Sequence, residues 1–127
     1  MNLPLPPPRR ILVVDDEPQV CEAVKMLLEF DGHKVTTAGG GQEALQLLTV
    51  ASFDLVITDY SMPQMKGDQL AKTIKALYPG QPVIMITAYA EALEATGKPV
   101  DGVDLLISKP FMLEDLRAAV LRSITTQ

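Results

Sequence analysis

Five polar residues stand where apolar runs of this chain end. Ile11-Leu12-Val13-Val14 runs into Asp15-Asp16, and Leu55-Val56-Ile57-Thr58 into Asp59. Val83-Ile84-Met85-Ile86 runs into Thr87, and Leu105-Leu106-Ile107-Ser108 into Lys109-Pro110. Three carboxylates, a hydroxyl and an ammonium brought to one place make a site for a divalent cation and a phosphoryl group. Mg2+ is bound through one or two carboxylates, several waters and a phosphoryl oxygen, and a carboxylate can itself take the phosphoryl group. A backbone carbonyl from the loop after Asp59 would add a ligand, Lys109 would meet the phosphoryl oxygens, and the Thr87 hydroxyl would donate to one of them. Each element alone also has a plainer reading. Asp15-Asp16 would cap a helix and face its dipole, Asp59 would form a turn, Thr87 would cap the next helix, and Lys109 would be a solvated charge.

Bringing these residues together requires the four runs to be parallel strands, because open α/β sheets bind ligands outside the carboxyl ends of their strands. The intervening segments predict the helices this needs. Pro18 opens a helix at its first position, where a missing N–H costs nothing. Val20, Val24, Leu27 and Leu28 then recur at helical spacing through Phe30, and Asp31-Gly32 stops the run. Residues 34–38 read as a second strand, followed by a turn at Gly39-Gly40-Gly41 and a helix carrying Ala44, Leu45 and Leu48. The third strand is read as Asp54 to Thr58. A loop from Tyr60 to Lys66 follows, and then, after Gly67, a helix with Leu70, Ile74 and Leu77, closed by Pro79-Gly80. The fourth strand spans Val83 to Ile86, and a helix from Ala90 to Thr96 is cut short by Gly97-Lys98-Pro99. The fifth strand is about Asp104 to Ile107, and a last helix buries Leu113, Leu116, Val120 and Ile124. Nearly all-apolar strands alternating with helices predict an α/β fold, a doubly wound parallel sheet of five βα units in the order 2-1-3-4-5.

The bulk properties agree with one folded domain. The 127 residues are 47% hydrophobic and 21% charged, with a formal net charge of −5 and no basic stripe, which speaks against direct nucleic-acid binding. The single cysteine, Cys21, leaves no internal disulfide and suits a reducing compartment. No apolar stretch reaches the roughly 18 to 20 residues that span a bilayer, so a cytoplasmic protein without membrane contact is expected. Residues 1–8, with Pro4, Pro6, Pro7 and Pro8, read as an extended leader or the end of a linker, and residues 9–126 as the domain.

Residues 11–18 (ILVVDDEP), residues 54–63 (DLVITDYSMP), Gly67, Ile86-Thr87-Ala88 and Ser108-Lys109-Pro110-Phe111, in that order, resemble a receiver (response-regulator) domain of a two-component phosphorelay. The fold implied is the flavodoxin-like (βα)5 sheet already expected from the pattern. By resemblance, Asp59 accepts a phosphoryl group from a histidine of a sensor kinase or phosphotransfer protein. Asp15 and Asp16 belong to the Mg2+ site, with Mn2+ a possible substitute; Asp16 is the direct ligand and Asp15 acts largely through water. The backbone carbonyl of Ser61, two residues past the acceptor, is a further ligand beside Asp59. Thr87 matches the switch hydroxyl and Lys109 its cationic partner, while Pro110 matches a proline usually preceded by a cis peptide bond. The implied activity is a signalling switch, not substrate turnover: the domain catalyses its own phosphorylation and dephosphorylation and changes its affinity for a downstream effector protein or domain. A monomer or weak dimer is expected. Physically, an acyl phosphate at Asp59 adds nearly two negative charges, and groups that reach it in one arrangement only bias the surface around the last strand and helices.

The resemblance departs at Leu106, where many members carry Tyr or Phe, and in the short fourth helix. Ser61 and Tyr89 stand where family side chains shape water access to the phosphoryl group. His33, the only histidine, reads as a solvated turn residue, and Cys21 as a packing residue. Two other catalytic or cofactor classes fit less well. A haloacid-dehalogenase-type phosphatase needs Asp-x-Asp after its first strand, where this chain has Asp15-Asp16-Glu17. A flavodoxin needs a hydroxyl- and glycine-rich phosphate loop where carboxylates stand. A docking domain indifferent to phosphorylation would not need the intact acidic pair, acceptor, threonine and lysine.

Overall fold

A computed structural model describes residues 8–98 and 100–125. The proline-rich leader, apart from Pro8, lies outside the described residues, as do Pro99 and the last two positions. Five strands and five helices alternate: β1 (Arg10–Val14), α1 (Pro18–Phe30), β2 (Lys34–Ala38), α2 (Gly41–Val50), β3 (Leu55–Asp59), α3 (Gly67–Leu77), β4 (Val83–Thr87), α4 (Ala90–Glu94), β5 (Leu105–Ser108) and α5 (Leu113–Thr125). All strand pairs are parallel, in the order β2-β1-β3-β4-β5. The expected topology is the observed one.

Strand periodicity explains the two-sided core. Successive residues point to opposite faces, so Ile11, Val13, Leu55, Ile57, Ile84 and Ile86 pack with α1 and α5 through Val24, Leu28, Leu116 and Val120. Leu12, Val14, Val56 and Val83 pack on the other face with Ala44, Leu48, Leu70 and Ile74 of α2 and α3. Strands β3 and β4 are buried at every position because both have a strand on each side and helices above and below, whereas the edge strands β2 and β5 are only partly buried.

The boundaries differ from expectation where side chains compete for the backbone. Asp54 is not in β3; its carboxylate accepts the Arg10 N–H at 2.9 Å. Asp104 likewise stands ahead of β5, where its Oδ2 accepts the Val83 N–H and binds Lys75 Nζ, each at 2.7 Å. Helix α4 stops at Glu94, two residues earlier than expected, and the chain turns through Ala95–Thr96. Gly41 belongs to α2 and is buried, because a Cβ there would lie 2.5 Å from Met65 Sδ. His33 is also buried, not solvated: its Nδ1 accepts the Arg9 N–H at 3.1 Å, which ties it to the residue just ahead of β1. Cys21 packs as expected, its Sγ 3.3 Å from Asp15 O, and burial pushes the thiol up to about 11.

Candidate functional site

Register places the polar residues. Val14 pairs with Thr58, so Asp15 and Asp59 each lie one step beyond a paired position on neighbouring strands. Asp59 pairs with Ile86, Thr87 with Ser108, and Lys109 follows, its N–H donating to Thr87 O at 3.0 Å. One edge of the sheet thus collects Asp15 and Asp16 from β1, Asp59 from β3, Thr87 from β4 and Lys109 from β5. The Lys109–Pro110 peptide is cis, as the resemblance implies.

The carboxylates of Asp15, Asp16 and Asp59 offer oxygen atoms all within 4.8 Å of one another. Asp15 and Asp59 are buried and Asp16 is exposed. Burial pushes Asp15 up to about 6; the Glu17 N–H, donating to its Oδ1 at 2.9 Å, opposes this, while the charges of Asp59 and Asp16 add to it and that of Lys109 subtracts. Lys109 Nζ lies 2.6 Å from Asp59 Oδ1. Burial pulls the Lys109 ammonium down, but the hydrogen bond to Asp59 and the charges of Asp59, Asp15 and Glu17 raise it overall, so it stays a cation. One ammonium against three carboxylates leaves net negative charge among hard oxygen donors. That donor set fits Mg2+, which prefers oxygen ligands.

Thr87 is buried, and its Oγ1 accepts the Tyr89 N–H at 2.9 Å. The structure therefore brings Asp15, Asp16, Asp59 and Lys109 into direct contact range and sets Thr87 at the next strand end. Ser61 lies exposed in the loop after Asp59. Gly67 matters for a reason its spacing alone did not disclose: a Cβ there would overlap Asp59 O and lie 2.9 Å from Tyr60 Cα, so only glycine lets α3 start against the strand end.

Residues 11–121 match the family model of the response regulator receiver domain. The chain belongs to this receiver family. A receiver of a two-component system is a phosphorylation-dependent signalling switch, and receivers bind Mg2+ through acidic residues. Among curated proteins, this receiver is 34% identical over 123 residues to the probable transcriptional regulatory protein TcrX of Mycobacterium tuberculosis, covering 94% of this chain and 53% of that one. It is 35% identical over 113 residues to the transcriptional regulatory protein GlrR of Escherichia coli, covering 89% of this chain and 26% of that one. The receiver therefore spans about a quarter to a half of the length of these relatives. Among solved structures, a CheY-like receiver domain protein of Methanospirillum hungatei superposes with a TM-score of 0.85 at 31% identity, covering 94% of this chain and 95% of that one. The response regulator TrrA of Thermotoga maritima, solved in complex with Mg2+ and BeF, superposes with a TM-score of 0.78 at 33% identity, covering 90% of this chain and 97% of that one. No helix among the described residues is long and apolar enough to cross a membrane.

Proposed function

We propose that this receiver takes a phosphoryl group onto Asp59 from a phosphohistidine of a sensor kinase or phosphotransfer protein, in a reaction that depends on Mg2+ and that its own residues catalyse. The observation that carries the reading is the buried Asp59 carboxylate, paired with Lys109 Nζ at 2.6 Å and crowded by Asp15 and Asp16. Asp15, Asp16 and Asp59, with the backbone carbonyl of Ser61, would hold Mg2+, and Mn2+ could replace it. The bound ion supplies neutralising charge to the phosphoryl oxygens.

The chain's own residues do the rest. An Asp59 oxygen forms the new O–P bond as the P–N bond to the donor imidazole breaks, with the imidazole retaining the bonding pair and taking a proton. Lys109 neutralises charge on the transferred group and trades part of its pairing with Asp59 for a phosphoryl oxygen. The Thr87 hydroxyl donates to another. Water attack on the same phosphorus later returns the free carboxylate, so the domain resets itself. The output is a changed affinity for an effector protein or domain, with no direct contact to nucleic acid or membrane, from a monomer or weak dimer formed by the unit 9–126. A cytoplasmic site of action belongs to this reading and suits the free thiol of Cys21.

The test is incubation with acetyl phosphate and Mg2+, followed by intact-mass measurement. One phosphoryl adduct is expected on the native chain, and none with Asp59→Asn or with the divalent ion chelated. Native protein that stays unmodified under conditions that load another receiver would sink the reading.

A further inference from the structure

The two loops that flank the acceptor edge meet through aromatic rings. Tyr60 directly follows Asp59, and its backbone is fixed on both sides: its N–H donates to Ile86 O at 3.0 Å, and its carbonyl accepts the Gly67 N–H at 2.9 Å. Against this fixed residue stands Tyr89, in the loop between β4 and α4. The ring centroids are 6.3 Å apart with planes at 72°, an edge-to-face pair, and Lys66 Nζ lies 5.6 Å from the Tyr60 centroid. The same Tyr89 holds the buried Thr87 hydroxyl by its amide at 2.9 Å. One residue thus links the ring beside the acceptor to the hydroxyl on the neighbouring strand.

We propose that Tyr89 is a positioning residue of the acceptor site. Its ring, set edge-to-face on Tyr60, ties the Thr87 loop to the loop leaving Asp59 and so determines where the Thr87 hydroxyl stands when a phosphoryl group arrives. This rests on the phosphoacceptor reading of Asp59. An aromatic pair of this geometry biases an equilibrium about two- to tenfold, enough to favour one loop position and small enough for new charge at Asp59 to shift it. The chain carries its own reporter: it has no tryptophan and three tyrosines, and Tyr78 sits apart, its hydroxyl donating to Leu48 O at 3.3 Å.

The test uses the full chain with Tyr78→Phe as parent, adding Tyr89→Ala, Tyr89→Phe or Tyr60→Leu. Intact mass follows adduct formation from acetyl phosphate and Mg2+, and near-ultraviolet circular dichroism follows the rings on addition of Mg2+ and beryllium fluoride. Tyr89→Ala and Tyr60→Leu are expected to form the adduct about two- to tenfold more slowly, the span of an aromatic pair, and Tyr89→Phe to restore the parent rate. The parent's aromatic signal is expected to change on loading, and that change to vanish in Tyr89→Ala. Equal rates for Tyr89→Ala and Tyr89→Phe would overturn the proposal, as would an aromatic signal indifferent to loading. A parent that forms no adduct at all fails at the earlier step, refuting the phosphoacceptor reading and this inference with it.

Discussion

Asp15 shows what it costs to bury a carboxylate at this site, with the charges of its neighbours adding to it. Its carboxyl is buried, accepts one amide and is raised from 3.8 to about 6, so at neutral pH it is ionised at a cost. A displacement of that size corresponds to at most about 3 kcal/mol, and relaxation of the exposed Asp16 side reduces that. Asp15→Asn keeps an oxygen for the Glu17 N–H and removes the charge. In Mg2+-free buffer it is expected to raise stability by on the order of 1–2 kcal/mol in urea unfolding. Mg2+ is expected to stabilise the native chain by mass action and to stabilise Asp15→Asn much less. An Asn variant less stable than the native chain without Mg2+ would contradict this account. The carboxylates and lysine were visible from where the apolar runs stop. The contact between Tyr60 and Tyr89 was not, because residues 29 positions apart in loops leave no periodic trace.

Among the elements, the stretch just before β5 is seated against α3 at Gly102. Gly97 takes a positive φ of +71° after α4, and Gly102, at φ +83°, lies against α3. A Cβ on Gly102 would lie 2.6 Å from the Ala71 carbonyl carbon and oxygen. Asp104 then fastens the start of β5 to Lys75 of α3 and to the Val83 N–H. The prediction is that Gly102→Ala costs about 1–3 kcal/mol, from overlap and from an unfavourable positive φ together. Urea midpoints measure it, and an unchanged midpoint would show that the segment is not seated on α3. That α4 is short was legible from the glycine and proline that follow it, but its end at Glu94, ahead of Gly97, was not. The destination of the broken segment was not legible, because it depends on a gap in the surface of another helix.

At the scale of the whole molecule, α5 is tied to the end of α1 beside His33. Arg117 of α5 binds Asp31, at the end of α1, through two bonds of 2.7 Å across 86 residues of sequence. Beside it His33 is held down in its pKa by burial; Asp31 opposes that, Arg9 adds to it, and the Nδ1 that accepts the Arg9 N–H must be unprotonated. Because the folded value lies below the ordinary 6.5, the unfolded chain binds the proton more readily. The contribution of His33 is therefore fully present above about pH 6.5 and is lost as pH falls below it. At saturating Mg2+, urea midpoints are expected to fall between about pH 7.5 and 5.5, and His33→Asn, which offers an oxygen to the same N–H, is expected to flatten that slope. A native slope that persists unchanged in His33→Asn would assign it to other groups.

Local pattern was enough to derive five parallel strands, their order, the helices between them and the polar residues at one edge. Strand and helix periods, chain-breaking residues and right-handed crossovers are properties of neighbouring residues and of chain connectivity. Tertiary structure alone decided that His33 is buried, that a Cβ at Gly67 would overlap Asp59 O, that Gly102 is pressed on α3, and that Tyr60 and Tyr89 meet. Each of these depends on atoms brought close by folding from distant parts of the chain, and such proximity is set by packing rather than by any spacing along it.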